Sequence, residues 1–136
     1  MKEAKKLLQD YKLRVTPVRK ELLDVLRSRN EAMPQPELVK VMEGFDRVTI
    51  YRTLAAFEEK GLVHRIVNEQ GVGNYALCSD ACGPDHHHDA HVHLECANCG
   101  KMYCLDDVEV PEIKIPARYK AHGLKIVTQG VCPSCQ

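Results

Sequence analysis

The stretch from residue 46 to residue 78, DRVTIYRTLAAFEEKGLVHRIVNEQGVGNYALC, decides the fold. Its first part carries a helical period. Ile50, Leu54, Ala55 and Phe57 recur at helical spacing, Asp46 or Thr49 starts the helix, and Lys60-Gly61 stops it. Its second part reads as two short strands, 62–67 and 74–78, joined by the glycine-containing loop Asn68-Glu69-Gln70-Gly71-Val72-Gly73. Upstream, residues 2–11 read as a short charged helix. Thr16 is an N-cap with Pro17 at the first helical position, where its missing N–H costs nothing. The helix it starts, 18–27, sets Val18, Leu22, Val25 and Leu26 on one face. Met33-Pro34-Gln35-Pro36 opens a third helix over 37–43, with Leu38, Val39 and Met42 inward and Gly44 at its end. Helices followed by a hairpin form a winged helix-turn-helix. The fourth helix is then its recognition helix.

Downstream the chemistry changes. Residues 79–90, SDACGPDHHHDA, are polar, contain Gly and Pro and lack any period. Residues 91–95 and 101–105 alternate like strands, 111–122 are weakly helical despite Pro116, and 124–131 reads as a last strand. The chain is therefore expected to be α+β. It divides into a winged-helix domain at 1–78, a hinge at 79–90 and a small metal-clipped α/β domain at 91–136.

A net charge of zero over 136 residues hides an asymmetry. Residues 1–67 hold 14 Lys+Arg against 10 Asp+Glu, whereas the remainder holds 5 against 9. All seven cysteines and six of the seven histidines lie beyond residue 67. The front is mildly basic and the back is acidic and rich in soft and imidazole ligands. The start, MKEAKKLLQD, has no apolar signal core, and no run approaches the length of a membrane span. The expectation is a cytoplasmic protein without membrane association. In that reducing compartment cysteines bind metal more often than they form disulfides.

Two Cys-x-x-Cys knuckles, Cys96–Cys99 and Cys132–Cys135, bracket the last third. Four thiolates from two tight turns form the closed tetrahedral site that structural Zn²⁺ prefers. His91 and His93 stand at i and i+2 on a strand, so both imidazoles point the same way. His86-His87-His88, with Cys82 beside it, reads as a solvated, metal-scavenging loop rather than a defined site, and Cys104 reads as a packed strand residue before an extra thiolate ligand. His122, before Gly123, reads as a cation at a helix C-terminus.

Four segments in order resemble the ferric uptake regulator family of metal-responsive repressors. They are Leu13-Arg14-Val15-Thr16-Pro17-Val18-Arg19; Val48-Thr49-Ile50-Tyr51-Arg52-Thr53-Leu54 with Glu59-Lys60-Gly61-Leu62-Val63; His91 to Lys101; and Cys132-Pro133-Ser134-Cys135. The resemblance implies a homodimer that represses transcription from a double-stranded operator, with a winged helix, a hinge and an α/β dimerisation domain holding a structural zinc. It assigns Tyr51 and Arg52 to base and phosphate contacts in a major groove and Arg14 to the minor groove. Arg19 and Arg47 fall to phosphates, with Thr49 beside them on the recognition helix.

The resemblance also bears on which metal is sensed. Iron- and peroxide-responsive members use a His at the entry to the third helix and an acid on the second wing strand. Met33 and Ala76 occupy those positions. Zinc-responsive members use a residue just after the recognition helix and a cysteine closing the wing, here His64 and Cys78. The implied regulatory set is His64, Cys78, His91 and His93, a nitrogen and sulfur mixture that suits Zn²⁺. Ala90 and Val92, and the short segment before Cys132, imply that a further family site is absent or rebuilt. The nearest alternative is an Fe²⁺- or Mn²⁺-dependent or peroxide-sensing repressor. A zinc hydrolase is remote, because the sequence has no H-E-x-x-H helix and no paired carboxylates beside the ligands. No enzymatic activity is expected.

Overall fold

The computed structural model describes residues 3–29, 31–77, 92–105, 107–122 and 124–136. Four α-helices come first: α1 (Ala4–Asp10), α2 (Pro17–Arg27), α3 (Gln35–Val41) and α4 (Arg47–Glu59). Six strands follow or interleave with them: β1 (Glu31–Pro34), β2 (Val63–Val67), β3 (Gly73–Leu77), β4 (Val92–Cys96), β5 (Met102–Leu105) and β6 (Ile126–Gly130).

The caps are those the residues dictate. Thr16 Oγ1 accepts from the Arg19 N–H at 3.3 Å, with Pro17 at the first position of α2. Asp46 accepts from the Thr49 N–H at 3.3 Å to start α4. The α4 C-terminus closes with two bonds, Gly61 N–H to Glu58 O at 3.0 Å and Leu62 N–H to Phe57 O at 2.9 Å. That pairing is a Schellman motif, and it needs the left-handed φ of 78° that Gly61 adopts. The turn sends the chain straight into β2.

Leu8, Leu22, Leu23, Leu38, Ile50, Leu54 and Phe57 are fully buried together and form the core of the helical head. Phe57 and Leu54 bring α4 into it, and Tyr75 and Val63 bring in the wing.

Two elements depart from the sequence reading. Glu31–Pro34 is a strand rather than the lead-in to α3. It is only four residues long and ends in a proline, so no alternation announces it. Residues 107–122 contain no helix, and His122 therefore caps none. Pro116, in the middle of the expected span, removes an N–H donor and biases Ile115 away from helix. α3 also ends earlier than expected, at Val41 with Met42 as its C-cap.

The strand order is β2-β3-β1-β5-β4-β6. The unexpected β1 joins the two halves of this sheet. Met33 and Pro34 pair with Tyr75 and Asn74 of β3, while Glu31 and Ala32 pair with Tyr103 and Met102 of β5. Wing and C-terminal strands thus share one sheet. Four strand spacings of about 4.8 Å would hold β2 and β4 about 19 Å apart in a flat sheet. The sheet instead curls, so that His64 of β2 touches His93 of β4. Ala32, Ile66, Ala76 and Met102 pack on its concave side. Side chains bridge the outer edges: Lys125 Nζ donates to Arg65 O at 3.0 Å, and Gln129 of β6 bonds the Glu69 carboxylate.

Candidate metal centre

Among the described residues two groups of ligand side chains converge, one at the end of the sheet and one inside its curl.

The first is the cysteine cluster. β4 and β6 run parallel, with Cys96 opposite Gly130 and the Ala97 N–H donating to Gly130 O at 2.8 Å. Parallel neighbours end on the same side, so the turn after β4 and the turn after β6 meet. The first knuckle turns at Gly100, whose φ is 77° and whose N–H donates to Cys96 O at 2.9 Å. The second is a single 3-10 turn, Pro133–Cys135. The four sulfurs of Cys96, Cys99, Cys132 and Cys135 lie within 4.8 Å of one another. Sulfurs about 2.3 Å from one tetrahedral ion stand about 3.8 Å apart. Cys99 and Cys132 sulfurs are 3.8 Å apart. All four are outside any disulfide. The residues therefore fit a tetrahedral Zn²⁺.

Local hydrogen bonds prepare these thiols unequally. The Cys99 and Cys132 N–H groups each donate to Cys96 Sγ at 3.4 Å and pull its pKa down to about 6. The Tyr103 hydroxyl, reaching from β5, donates to the Cys132 sulfur; that bond lowers the Cys132 pKa and, together with burial, raises that of Tyr103. Cys135 is pushed up to about 12, first by its bond to Cys132 and then by burial. A divalent cation held by these four sulfurs would supply the charge that lets all four ionise together. Nothing in the sequence pattern marks Tyr103; only its place on β5 beside the cluster does.

The second group is His64, His93 and Cys104, whose ligand atoms also lie within 4.8 Å of one another. His64 sits on β2, three residues past Gly61, and is 6% exposed. His93 sits on β4, three residues before Cys96, and is 2% exposed. Their rings meet edge to face with centroids 5.5 Å apart. His64 Nε2 and both ring nitrogens of His93 are buried. Cys104 on β5 is directly opposite His93. A cleft of about 330 Å³, walled by Gly61, Val63, Arg65 and Lys125, reaches His64 and His93 from outside. Two imidazoles and a thiol with an open approach fit an exchangeable soft or borderline cation.

Of the expected regulatory set, the structure brings His64 and His93 together. Cys78 and His91 lie outside the described residues, as do the hinge 79–90, Cys82 and His86-His87-His88. Cys104, expected first as a packed strand residue, belongs with both histidines. The signal for it is strand parity: two residues from Met102, it shares the concave face. Ala76 pairs directly with His64, and Met33 is buried in the head core, so neither offers an oxygen or nitrogen ligand.

The remaining expected site residues lie on the head. Along α4, Ile50, Thr53, Leu54 and Phe57 face the core, while Arg47, Val48, Tyr51, Arg52 and Ala55 face out. Arg14 is exposed, and its carbonyl accepts from Arg19 Nη1 at 2.8 Å, which aims the Arg19 guanidinium alongside it. Thr49 differs: its hydroxyl donates to Asp46, which holds the Asp46 carboxylate below its usual pKa. Thr49 thus serves the helix cap.

Residues 10–132 match the model of the Ferric uptake regulator family. The chain belongs to this family. It is thus a metal-responsive transcription regulator of that family, whose members are DNA-binding proteins rather than enzymes. A ferric uptake regulation protein of Legionella pneumophila is 30% identical over 143 residues, covering 98% of this chain and 99% of its own. The peroxide operon regulator of Bacillus subtilis (strain 168) is 28% identical over 144 residues, covering 99% of this chain and 92% of its own. Among solved structures, a zinc uptake regulator complexed with zinc and DNA aligns with a TM-score of 0.68 at 21% identity, over 97% of this chain and 89% of that one. At that identity the likeness concerns the fold. Among the described residues no helix is long and apolar enough to cross a membrane.

Proposed function

We propose that this chain is a zinc-responsive repressor that binds operator DNA as a homodimer. The observation that carries the reading is the meeting of His64 and His93 across the curl of the sheet. His64 is tied to the recognition helix through the Schellman turn at Gly61. His93 is tied to the cysteine knuckle through Cys96. An ion held by both side chains supplies a positive centre that neither half provides alone, and fixes α4 relative to the C-terminal body. Cys78 and His91 complete the ligand set in this reading. The division into a DNA-reading head (1–78), a hinge (79–90) and a dimerising body (91–136) follows from it.

The arrangement of the head supports the DNA role. Tyr51 and Arg52 are exposed on the outer side of α4, ready for a major groove; Arg47 and Arg19 take phosphates, and Arg14, whose carbonyl accepts from Arg19 Nη1, takes the minor groove. Val108, Ile113, Ile115 and Tyr119 are exposed between β5 and β6, in a stretch whose described residues form neither helix nor strand, and offer apolar side chains suited to a second copy. The Cys96, Cys99, Cys132 and Cys135 cluster holds a structural Zn²⁺. The Fe²⁺ and Mn²⁺ reading loses ground because Ala76 and Met33 replace the ligands those metals need.

The test is operator binding against free Zn²⁺. A duplex selected by the protein from a random pool is followed by fluorescence anisotropy. Zinc is expected to raise affinity by about 5- to 150-fold, the usual span of allosteric coupling. His64→Ala and Cys78→Ser should lose that response while keeping the structural zinc. A Cys78→Ser protein that responds at the same zinc concentration as the parent removes Cys78 from the site, and DNA binding indifferent to zinc ends the reading.

A further inference from the structure

α1 and α4 end in the same backbone motif. The Lys12 N–H donates to Gln9 O at 3.0 Å and the Leu13 N–H to Leu8 O at 2.8 Å, the same two bonds that Gly61 and Leu62 make at the end of α4. In both turns the left-handed residue is followed by a leucine packed in the head core, Leu13 in one and Leu62 in the other. The motif demands a positive φ, which is 78° at Gly61 and 58° at Lys12. Glycine meets that demand without a steric cost, whereas a residue with a Cβ does not. Among the described residues Lys12 is the only non-glycine residue with a positive φ.

Nothing inside the fold offsets this cost. Lys12 is exposed between buried Tyr11 and Leu13. Among the described residues its ammonium pairs with no carboxylate, and the nearby Asp10 is held by Lys6 at 3.7 Å. The dipole of α1 attracts a cation at this end, but the helix has only seven residues, and its last turn carries Asp10 and no basic residue. A lysine at position 9 or 10 would gain the same attraction with ordinary backbone. What the left-handed turn does provide is a place on the surface. Two residues on, Arg14 is exposed as well, and its carbonyl accepts from Arg19 Nη1 at 2.8 Å. Three cations thus gather between the end of α1 and the first turn of α2. Such a turn fits a polyanion.

We propose that Lys12 is a further DNA contact of this chain, set on a backbone phosphate by the left-handed turn that closes α1. The proposal rests on the reading that Arg14 and Arg19 face the operator. Backbone strain of this kind persists where function uses it.

The experiment uses the full, zinc-loaded chain with the duplex selected from the random pool and with a scrambled duplex of the same length. Anisotropy is read at several salt concentrations, and Tm on the same preparations. Lys12→Gly removes charge and strain, Lys12→Gln removes the charge alone, and Lys12→Arg keeps both. Lys12→Gly and Lys12→Gln are expected to weaken both duplexes about 5-fold at about 0.15 M salt, and to make the slope of log affinity against log salt shallower by about one for each Lys12 on the DNA. Lys12→Arg should bind like the parent. Tm should rise by about 3 °C in Lys12→Gly alone, so stability and DNA affinity move in opposite directions. Parental affinity and slope in both uncharged variants overturn the proposal. A Tm of Lys12→Gly at or below the parent's shows that the turn costs nothing and overturns it too. A loss on the selected duplex only makes Lys12 a base contact and overturns the phosphate assignment. Arg14→Ala separates the two readings. If it binds like the parent while Lys12→Gln is weakened, the Arg14 assignment falls and Lys12 stands; the reverse pattern removes Lys12 alone.

Discussion

His64 and His93 touch edge to face at 5.5 Å although three strands of the same sheet lie between theirs. Only a curled sheet allows this, and in the proposed reading the curl is what couples the DNA-reading head to the C-terminal body. A ligand that binds only the curled arrangement stabilises it by mass action. Zinc at about 100 times its Kd should add about 2.7 kcal/mol, a rise of about 10 °C in Tm for a chain of this size. His64→Ala and His93→Ala should lose this increment and keep the structural zinc. Differential scanning calorimetry on zinc-replete and second-site-depleted protein measures it; an undiminished increment in His64→Ala would exclude His64 as a ligand.

The cysteine cluster predicts a pH signature. Cys96, held at about 6, is already a thiolate at neutral pH, whereas Cys135, held at about 12, is not. Zinc must therefore displace the Cys135 proton through the neutral range, so affinity rises with pH. Below about 6 the Cys96 proton must leave as well, and the slope of log affinity against pH should steepen by about one proton. In the metal-free chain the depressed Cys96 pKa favours the folded state above pH 9, and that contribution is lost as pH falls through about 6. Calorimetric zinc titrations in buffers of different ionisation enthalpy count the protons directly.

Tyr103 should behave as a positioning residue for this centre. Its hydroxyl donates to the Cys132 sulfur and favours the thiolate. Partners of this kind typically carry about 10–100-fold in metal affinity. Tyr103→Phe keeps the ring and removes the donor, so zinc affinity should fall by about that factor with the fold retained. Chelator competition reads the affinity, and the Cys132 alkylation rate against pH reads its pKa, which should rise.

How much of this is legible in the sequence depends on the range of the signal. The Thr16 and Asp46 caps, the Gly61 stop and the α4 face are local, and neighbouring residues specify them. The knuckle spacing is local too, and parallel pairing of β4 and β6 brings both knuckles to one end. What escapes depends on long-range pairing. β1 is four residues with a terminal proline and gains meaning only from β3 and β5 on either side. Cys104 becomes more than a packing residue only once the ladder sets it opposite His93 and the curl brings His64 over both. The helix expected over 111–122 shows the opposite failure: its weak helical tendency is local, and Pro116 in its middle outweighs it.

The two faces of α4 predict a separation of stability from DNA binding. Phe57 is fully buried in the head core, and Phe57→Ala should cost about 3–5 kcal/mol. Arg47, Tyr51 and Arg52 are exposed on the other side, and their replacement by Ala should change stability by no more than about 0.5 kcal/mol. On operator DNA the order reverses. Arg52→Ala should cost about 1–3 kcal/mol if it pairs with a guanine, and relax the choice of base at one position. Arg47→Ala removes a cation from a phosphate, so it should weaken all sequences alike and make the slope of log affinity against log salt shallower by about one. Chemical denaturation and anisotropy titrations at several salt concentrations, run on the same four variants, separate these effects. If Arg52→Ala and Arg47→Ala give the same base-independent loss, Arg52 holds a phosphate and the base reading falls to Tyr51, whose ring can meet a thymine methyl.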